Sequence, residues 1–159
     1  LNENNQNDYS KKTIVKIILI YTLFSFITTL VREIIKDIED IEGDNKFRSN
    51  TLPIKYGIIY AKKVAILFII ITFAFLVYFQ YFQYSVLNTT FSFNISYWGV
   101  NKISILYTIL IEVVLVLLLK YIYSAKTKSD FENTSKICKY IMILGILSIP
   151  TFTFSHLYI

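Results

Sequence analysis

The chain has 159 residues, of which 55% are hydrophobic and 17% aromatic, with mean hydropathy +0.53 and a formal net charge of +5. So apolar a composition excludes a water-soluble domain of this length and places the chain among helical membrane proteins. The single cysteine, Cys138, excludes an intrachain disulfide.

Residues 1–12, with the polar run Asn2-Glu3-Asn4-Asn5-Gln6-Asn7-Asp8, read as a connecting loop. A chain that opens on Leu1 and this run is expected to be the later part of a longer protein, whose N-terminal half would be its partner. The first apolar span covers 13–31, with Lys16 near its outer end, and its helix is expected to continue to Gly43, a C-terminal stop. Residues 44–57 read as a loop broken by Pro53 and Gly57. A second helix over 58–84 holds the uncharged span 64–82. A third over 102–124 holds the span 103–119, charged only at Glu112. Ser129-Asp130-Phe131-Glu132 has capping-box spacing and is expected to open the fourth helix. That helix contains the span 140–159, in which Pro150 is expected to kink or interrupt the chain and His156 sits near the outer end. Each span approaches the ~20 residues of a bilayer crossing and is apolar all round, as lipid-buried helices are. The fold class is all-α, a polytopic membrane protein of about four transmembrane helices.

Lysine and arginine are unevenly placed. Arg32, Lys36, Lys46, Arg48, Lys55, Lys62 and Lys63 lie between spans one and two, and Lys120, Lys126, Lys128, Lys136 and Lys139 flank the third connection. The other side holds only Lys11, Lys12, Lys16 and Lys102. The positive-inside rule puts the first group in the cytoplasm, in a cell or inner membrane. Tyr78, Tyr81, Tyr84, Tyr97 and Trp98 suit an aromatic belt at the opposite interface. Asn88-Thr89-Thr90 and Asn94-Ile95-Ser96 match glycosylation sequons by chance in an Asn-rich chain.

Six of the eleven acidic residues fall within 33–44. Glu33, Asp37, Asp40 and Asp44 are spaced to share one stripe of a helix at roughly 100° per residue. Like charges one turn apart repel, and a divalent cation relieves that repulsion. A solvated acidic helix is the alternative, although this run abuts the end of a membrane span. Lys46, Arg48, Lys55 and Lys62-Lys63 follow at once. Carboxylates facing cations across one loop suit a Mg²⁺–diphosphate complex, with the cations on the remaining phosphate oxygens. Holding anionic membrane lipids is an equal alternative for Lys62 and Lys63, while Arg48 fits the phosphate reading better.

The segment Arg32-Glu33-Ile34-Ile35-Lys36-Asp37-Ile38-Glu39-Asp40-Ile41-Glu42-Gly43-Asp44, with Thr51-Leu52-Pro53-Ile54 and Gly57, resembles the second aspartate-rich motif of UbiA-type intramembrane prenyltransferases. It is most similar to the branch that includes the geranylgeranylglycerol-phosphate geranylgeranyltransferases. The resemblance implies the C-terminal part of a single nine-helix prenyltransferase domain, and a Mg²⁺-dependent enzyme. Such an enzyme moves a prenyl group from an allylic prenyl diphosphate to a lipid-soluble aromatic or glycerol-phosphate acceptor. The motif's DxxxD core maps to Asp40 and Asp44, the catalytic pair. Asp37 matches an additional acid of this branch, Glu33 is the outlying metal candidate, and Arg48, Lys55 and Lys36 would bind the diphosphate. The family's earlier aspartate-rich motif has no counterpart in these residues, and relatives often place a glycine in the loop near Arg48.

Glu112, in mid-span, is expensive to bury unless paired and is a functional candidate by default. A catalytically inert membrane protein whose acidic loop binds cations, or a transporter fragment using Glu112, are the competing readings. No nucleic-acid-binding pattern is present.

Overall fold

A computed structural model of the chain describes residues 3–89 and 101–158, with side chains over 15, 17–81 and 101–155. Six helices occupy them: α1 (Glu3–Glu39), α2 (Ile41–Lys46), α3 (Leu52–Tyr56), α4 (Ile58–Thr89), α5 (Lys102–Ser124) and α6 (Lys128–Tyr158). Four stretches are long and apolar enough to cross a membrane, namely Ile17–Glu39, Ile58–Tyr81, Lys102–Ser124 and Lys128–Ser155. The protein is an integral membrane protein built of helices. Tyr78 and Tyr81 are exposed; the side chains of Tyr84, Tyr97, Trp98, His156, Lys11, Lys12 and Lys16, and both sequons, lie outside the described side chains.

The long helices form a ring in which α1 packs on α4 and α6, and α5 packs on the same two. Each contributes one seam to the centre. On α5 the buried residues are Ser104, Thr108, Ile111, Glu112, Leu115, Leu118 and Ile122; Glu112 apart, they fall in steps of four and three that repeat every seven residues and suit left-handed, coiled-coil-like packing. On α1 the seam is Phe24, Ile27, Val31, Ile34 or Ile35, and Ile38, while α4 brings Ala61, Ala65, Ile69, Thr72 and Leu76. Two alanines at the start of α4 let backbones come close, the usual device where lipid removes any hydrophobic drive between helices. Hydrogen bonds add to that packing. Tyr21 and Ser148 share one at 2.6 Å, Tyr107 donates to the Leu144 carbonyl at 2.8 Å, and Asn101 donates to Ser155 at 2.8 Å. Tyr21 and Asn101 lie at the starts of the α1 span and α5 and meet the later part of α6, so α1 and α5 run antiparallel to α6. Lys62, at the start of α4, bonds carbonyls at the end of α5, so those two are antiparallel as well.

Several boundaries differ from the sequence reading. Helix α1 begins at Glu3 where a loop was expected; no Pro or Gly interrupts 1–12, and a nucleated helix gains a bond for each residue it adds. Glycine 43 is not the stop. The helix bends at Asp40 (φ −108, ψ 26) and resumes as α2, ending in a turn in which Arg48 takes φ +52. Ser49 N donates to Asp44 O at 3.0 Å and Arg48 N to Asn45 O at 3.3 Å, the Schellman pattern. Arg48 thus holds the position that favours glycine.

The stretch expected to be loop contains α3, with Pro53 in its first turn, where a missing N–H has no helical partner to lose. Gly57 ends α3 at φ 88, ψ 156, a region open essentially to glycine alone. Its carbonyl accepts the first bond of α4, from Ala61 N at 3.1 Å. The cap of α6 is Thr127, not Ser129: Asp130 Oδ2 accepts from Lys126 N (2.9 Å) and Thr127 N (2.8 Å). Helix α6 runs through Pro150 without interruption.

Candidate functional site

The acidic stripe stays one stripe because the backbone ladder crosses the bend. Asp40 N donates to Lys36 O at 2.9 Å, Asp44 N to Asp40 O at 3.0 Å and Phe47 N to Gly43 O at 3.2 Å. Burial of Val31, Ile34, Ile35 and Ile38 fixes the rotation of α1, and with it the direction of the stripe. The result is a polar cleft of about 400 Å³ lined by Glu33, Lys36, Asp37, Glu39, Asp40, Asp44 and Lys128. All four stripe carboxylates line it from the α1–α2 segment, and Lys128 lines it from the start of α6.

Asp40 makes no capping bond to α2, so its carboxylate is left to the cleft. That carboxylate lies over Gly43, where an added Cβ would come within 2.7 Å of Oδ1. Glu33 accepts from the neighbouring Arg32 guanidinium, a local partner for one member of a stripe that the sequence reading left without a cation. Glu39 has one buried carboxylate oxygen with no partner.

Among the described residues no three His, Cys, Asp or Glu side chains converge into an all-protein metal cage. The lining instead fits Mg²⁺, which keeps several waters and is held by one or two carboxylates together with substrate phosphates. The uncapped carboxylate of Asp40 and the unpartnered oxygen of Glu39 are of the hard type that ion takes.

Not every expected cation is here. Arg48 and Lys55 do not line the cleft; Arg48 is exposed on the turn after α2, and the Lys55 ammonium lies 5.3 Å from the ring centroid of Tyr56 on α3. Lys62 has a structural task. It donates to the Tyr123 and Ala125 carbonyls at 3.0 and 2.9 Å, capping α5 from the start of α4, as a cation at a helix C-terminus does. Two lining residues escaped the sequence reading. Glu39 falls off the stripe by periodicity, and Lys128 is remote along the chain and arrives only because α6 closes the ring on α1. Glu112 is buried at 9% exposure on α5, with its Oε1 unpartnered.

The chain is similar to curated proteins named digeranylgeranylglyceryl phosphate synthase. It is 34% identical over 134 residues to the protein of Methanosphaera stadtmanae, covering 84% of this chain and 43% of that one. It is 31% identical over 142 residues to the Sulfurisphaera tokodaii protein, covering 87% and 42%. With the Methanopyrus kandleri protein it shares 52% identity over 48 residues, covering 30% and 18%. The UbiA-type prenyltransferase resemblance therefore extends over most of the chain and well beyond the acidic motif. The chain spans less than half the length of the curated relatives it matches. No protein-family model and no solved structure matches it.

Proposed function

We propose that this chain is the Mg²⁺- and diphosphate-binding part of a UbiA-type intramembrane prenyltransferase. In this reading residues 1–159 belong to a single membrane-embedded domain that also contains further helices and another aspartate-rich motif. The reaction is transfer of a prenyl group from an allylic diphosphate to a glycerol-phosphate acceptor, a reading supported by the relatives' name, which gives a geranylgeranylated glyceryl phosphate as product. The observation that carries it is the single cleft lined by Glu33, Asp37, Asp40 and Asp44 together with Lys36.

Asp40 and Asp44 would hold the metal, with Asp37 and Glu33 completing the charge there. Bound Mg²⁺ would neutralise negative charge on the departing diphosphate. Lys36 binds a phosphate oxygen from the same segment. Arg48 and Lys55, on the segments that follow α2, meet the phosphate outside the cleft. The substrate's C–O bond ionises, the acceptor oxygen traps the allylic cation, and its proton and the free diphosphate leave. Arginine and lysine crowd this end of the bundle, which favours a cytoplasmic cleft in the cell membrane.

The test uses the full-length protein and measures prenyl transfer from an allylic diphosphate across a Mg²⁺ titration. Asp40→Ala and Asp44→Ala are each expected to lower turnover by about 10²-fold or more, the scale for removing one group that stabilises developing charge. Unchanged turnover with unchanged Mg²⁺ dependence in both variants refutes the assignment.

A further inference from the structure

Resting on that reading of the cleft, we infer that Lys128 is a diphosphate-binding residue, contributed by the last helix to the cleft that the carboxylates line. Three observations lead to it. First, every other described side chain lining the cleft comes from the α1–α2 segment; Lys128 alone comes from elsewhere in the fold. Second, its backbone is fixed. Thr127 and Asp130 lock the turn that opens α6, with Asp130 Oδ2 accepting from Lys126 N at 2.9 Å and Thr127 N at 2.8 Å, and Asp130 N donating back to Thr127 Oγ1 at 3.3 Å. Only three residues separate the end of α5 from Lys128, and Lys62 pins that connection through the Tyr123 and Ala125 carbonyls. Third, the neighbouring acids on α6 do not engage Lys128 by hydrogen bond: Asp130 is committed to the cap, and Glu132 pairs with Lys136 at 2.8 Å.

A tethered ammonium in one cleft with a row of carboxylates has two uses. It can simply offset their charge, or it can take the phosphate oxygens that the metal leaves uncovered. A diphosphate held by Mg²⁺ on the carboxylates leaves its remaining oxygens to the rest of the cleft, and an ammonium is a strong point-charge donor to such oxygens. Lys128 then closes the site from a second element, so that the ligand bridges α1–α2 to α6.

The two uses differ in sign. A residue that only offsets charge competes with Mg²⁺, so its removal tightens metal binding and, with it, diphosphate binding. A diphosphate contact is lost outright, even when Mg²⁺ is saturating. The experiment titrates inorganic diphosphate into the detergent-solubilised full-length protein at saturating Mg²⁺ and reads the dissociation constant by calorimetry. Lys128→Ala and Lys128→Gln are expected to weaken binding roughly tenfold, the scale of one charge-assisted hydrogen bond. Lys128→Arg is expected to restore most of it. Lys126→Ala, the same charge loss two residues away and outside the cleft lining, is expected to stay within about twofold of the parent, since an exposed charge in salt is screened.

Unchanged or tighter binding in Lys128→Ala and Lys128→Gln overturns the inference, as does an equal loss in Lys126→Ala. Asp40→Ala separates this from the parent reading. If Asp40→Ala loses diphosphate and the Lys128 variants do not, only the role of Lys128 fails. If Asp40→Ala binds as the parent does, the cleft assignment itself fails.

Discussion

Replacing Arg48 with glycine separates the shape of the turn after α2 from the charge displayed there. Arg48 holds φ +52, a conformation in which Cβ costs an L-residue roughly 1–2 kcal/mol. Removing Cβ relieves that strain, while the extra freedom of glycine in the unfolded chain takes back roughly 0.4–1 kcal/mol. The net is a stabilisation of about 0.5–1 kcal/mol. No packing is lost, because the side chain is exposed. The bonds that close the turn, Ser49 N to Asp44 O and Arg48 N to Asn45 O, are backbone only. Arg48→Ala is the partner experiment, since it removes the same charge and keeps Cβ. In thermal unfolding of the full-length protein in detergent, Arg48→Gly is expected to melt on the order of 2 °C above Arg48→Ala. Diphosphate binding is expected to fall equally in both, since both lose the guanidinium. A midpoint for Arg48→Gly at or below that of Arg48→Ala would refute the strain reasoning, whatever happens to binding.

Lys62→Met keeps an apolar stem but abandons two carbonyls at the end of α5, and should cost about 1–3 kcal/mol in a denaturant titration, with Lys62→Arg recovering part of it. Gly145→Ala places a Cβ 2.5 Å from Phe24 Cε1, forcing the α1–α6 contact apart for about 1–3 kcal/mol. Adding Phe24→Leu should return some of that loss in the same unfolding assay. Glu112→Leu removes an orphaned carboxyl oxygen and is expected to raise stability by about 1–3 kcal/mol. A lower melting midpoint for Glu112→Leu would mean that the carboxyl is bonded in the folded protein.

Much of the bundle could be read from hydropathy because a bilayer sets a minimum length for its helices. Which face of each helix turns inward could not. Ile35 is sealed in the seam and Ile18 is exposed, yet both are isoleucines in one apolar run, since lipid and core ask for the same chemistry. The acids were legible because spacing alone fixes a stripe once the helix is granted. Lys128 was not, because it reaches the cleft through ring closure by α6 and no local pattern encodes that meeting. At the start of α6 two capping patterns overlap, Thr127 to Asp130 and Ser129 to Glu132. The chain uses the first, which leaves Glu132 for Lys136. The turn at Arg48 carried no sequence mark, since neither glycine nor asparagine occupies its left-handed position.

Gly43 has no functional group, yet the shelf beneath Asp40 exists only because it lacks a side chain. Any larger residue there would evict that carboxylate and redirect it, leaving every acid in place and the charge unaltered. A saturation scan of this segment should therefore rank a chemically mute position beside the aspartates themselves. Ion affinity would be tuned at that position by bulk alone.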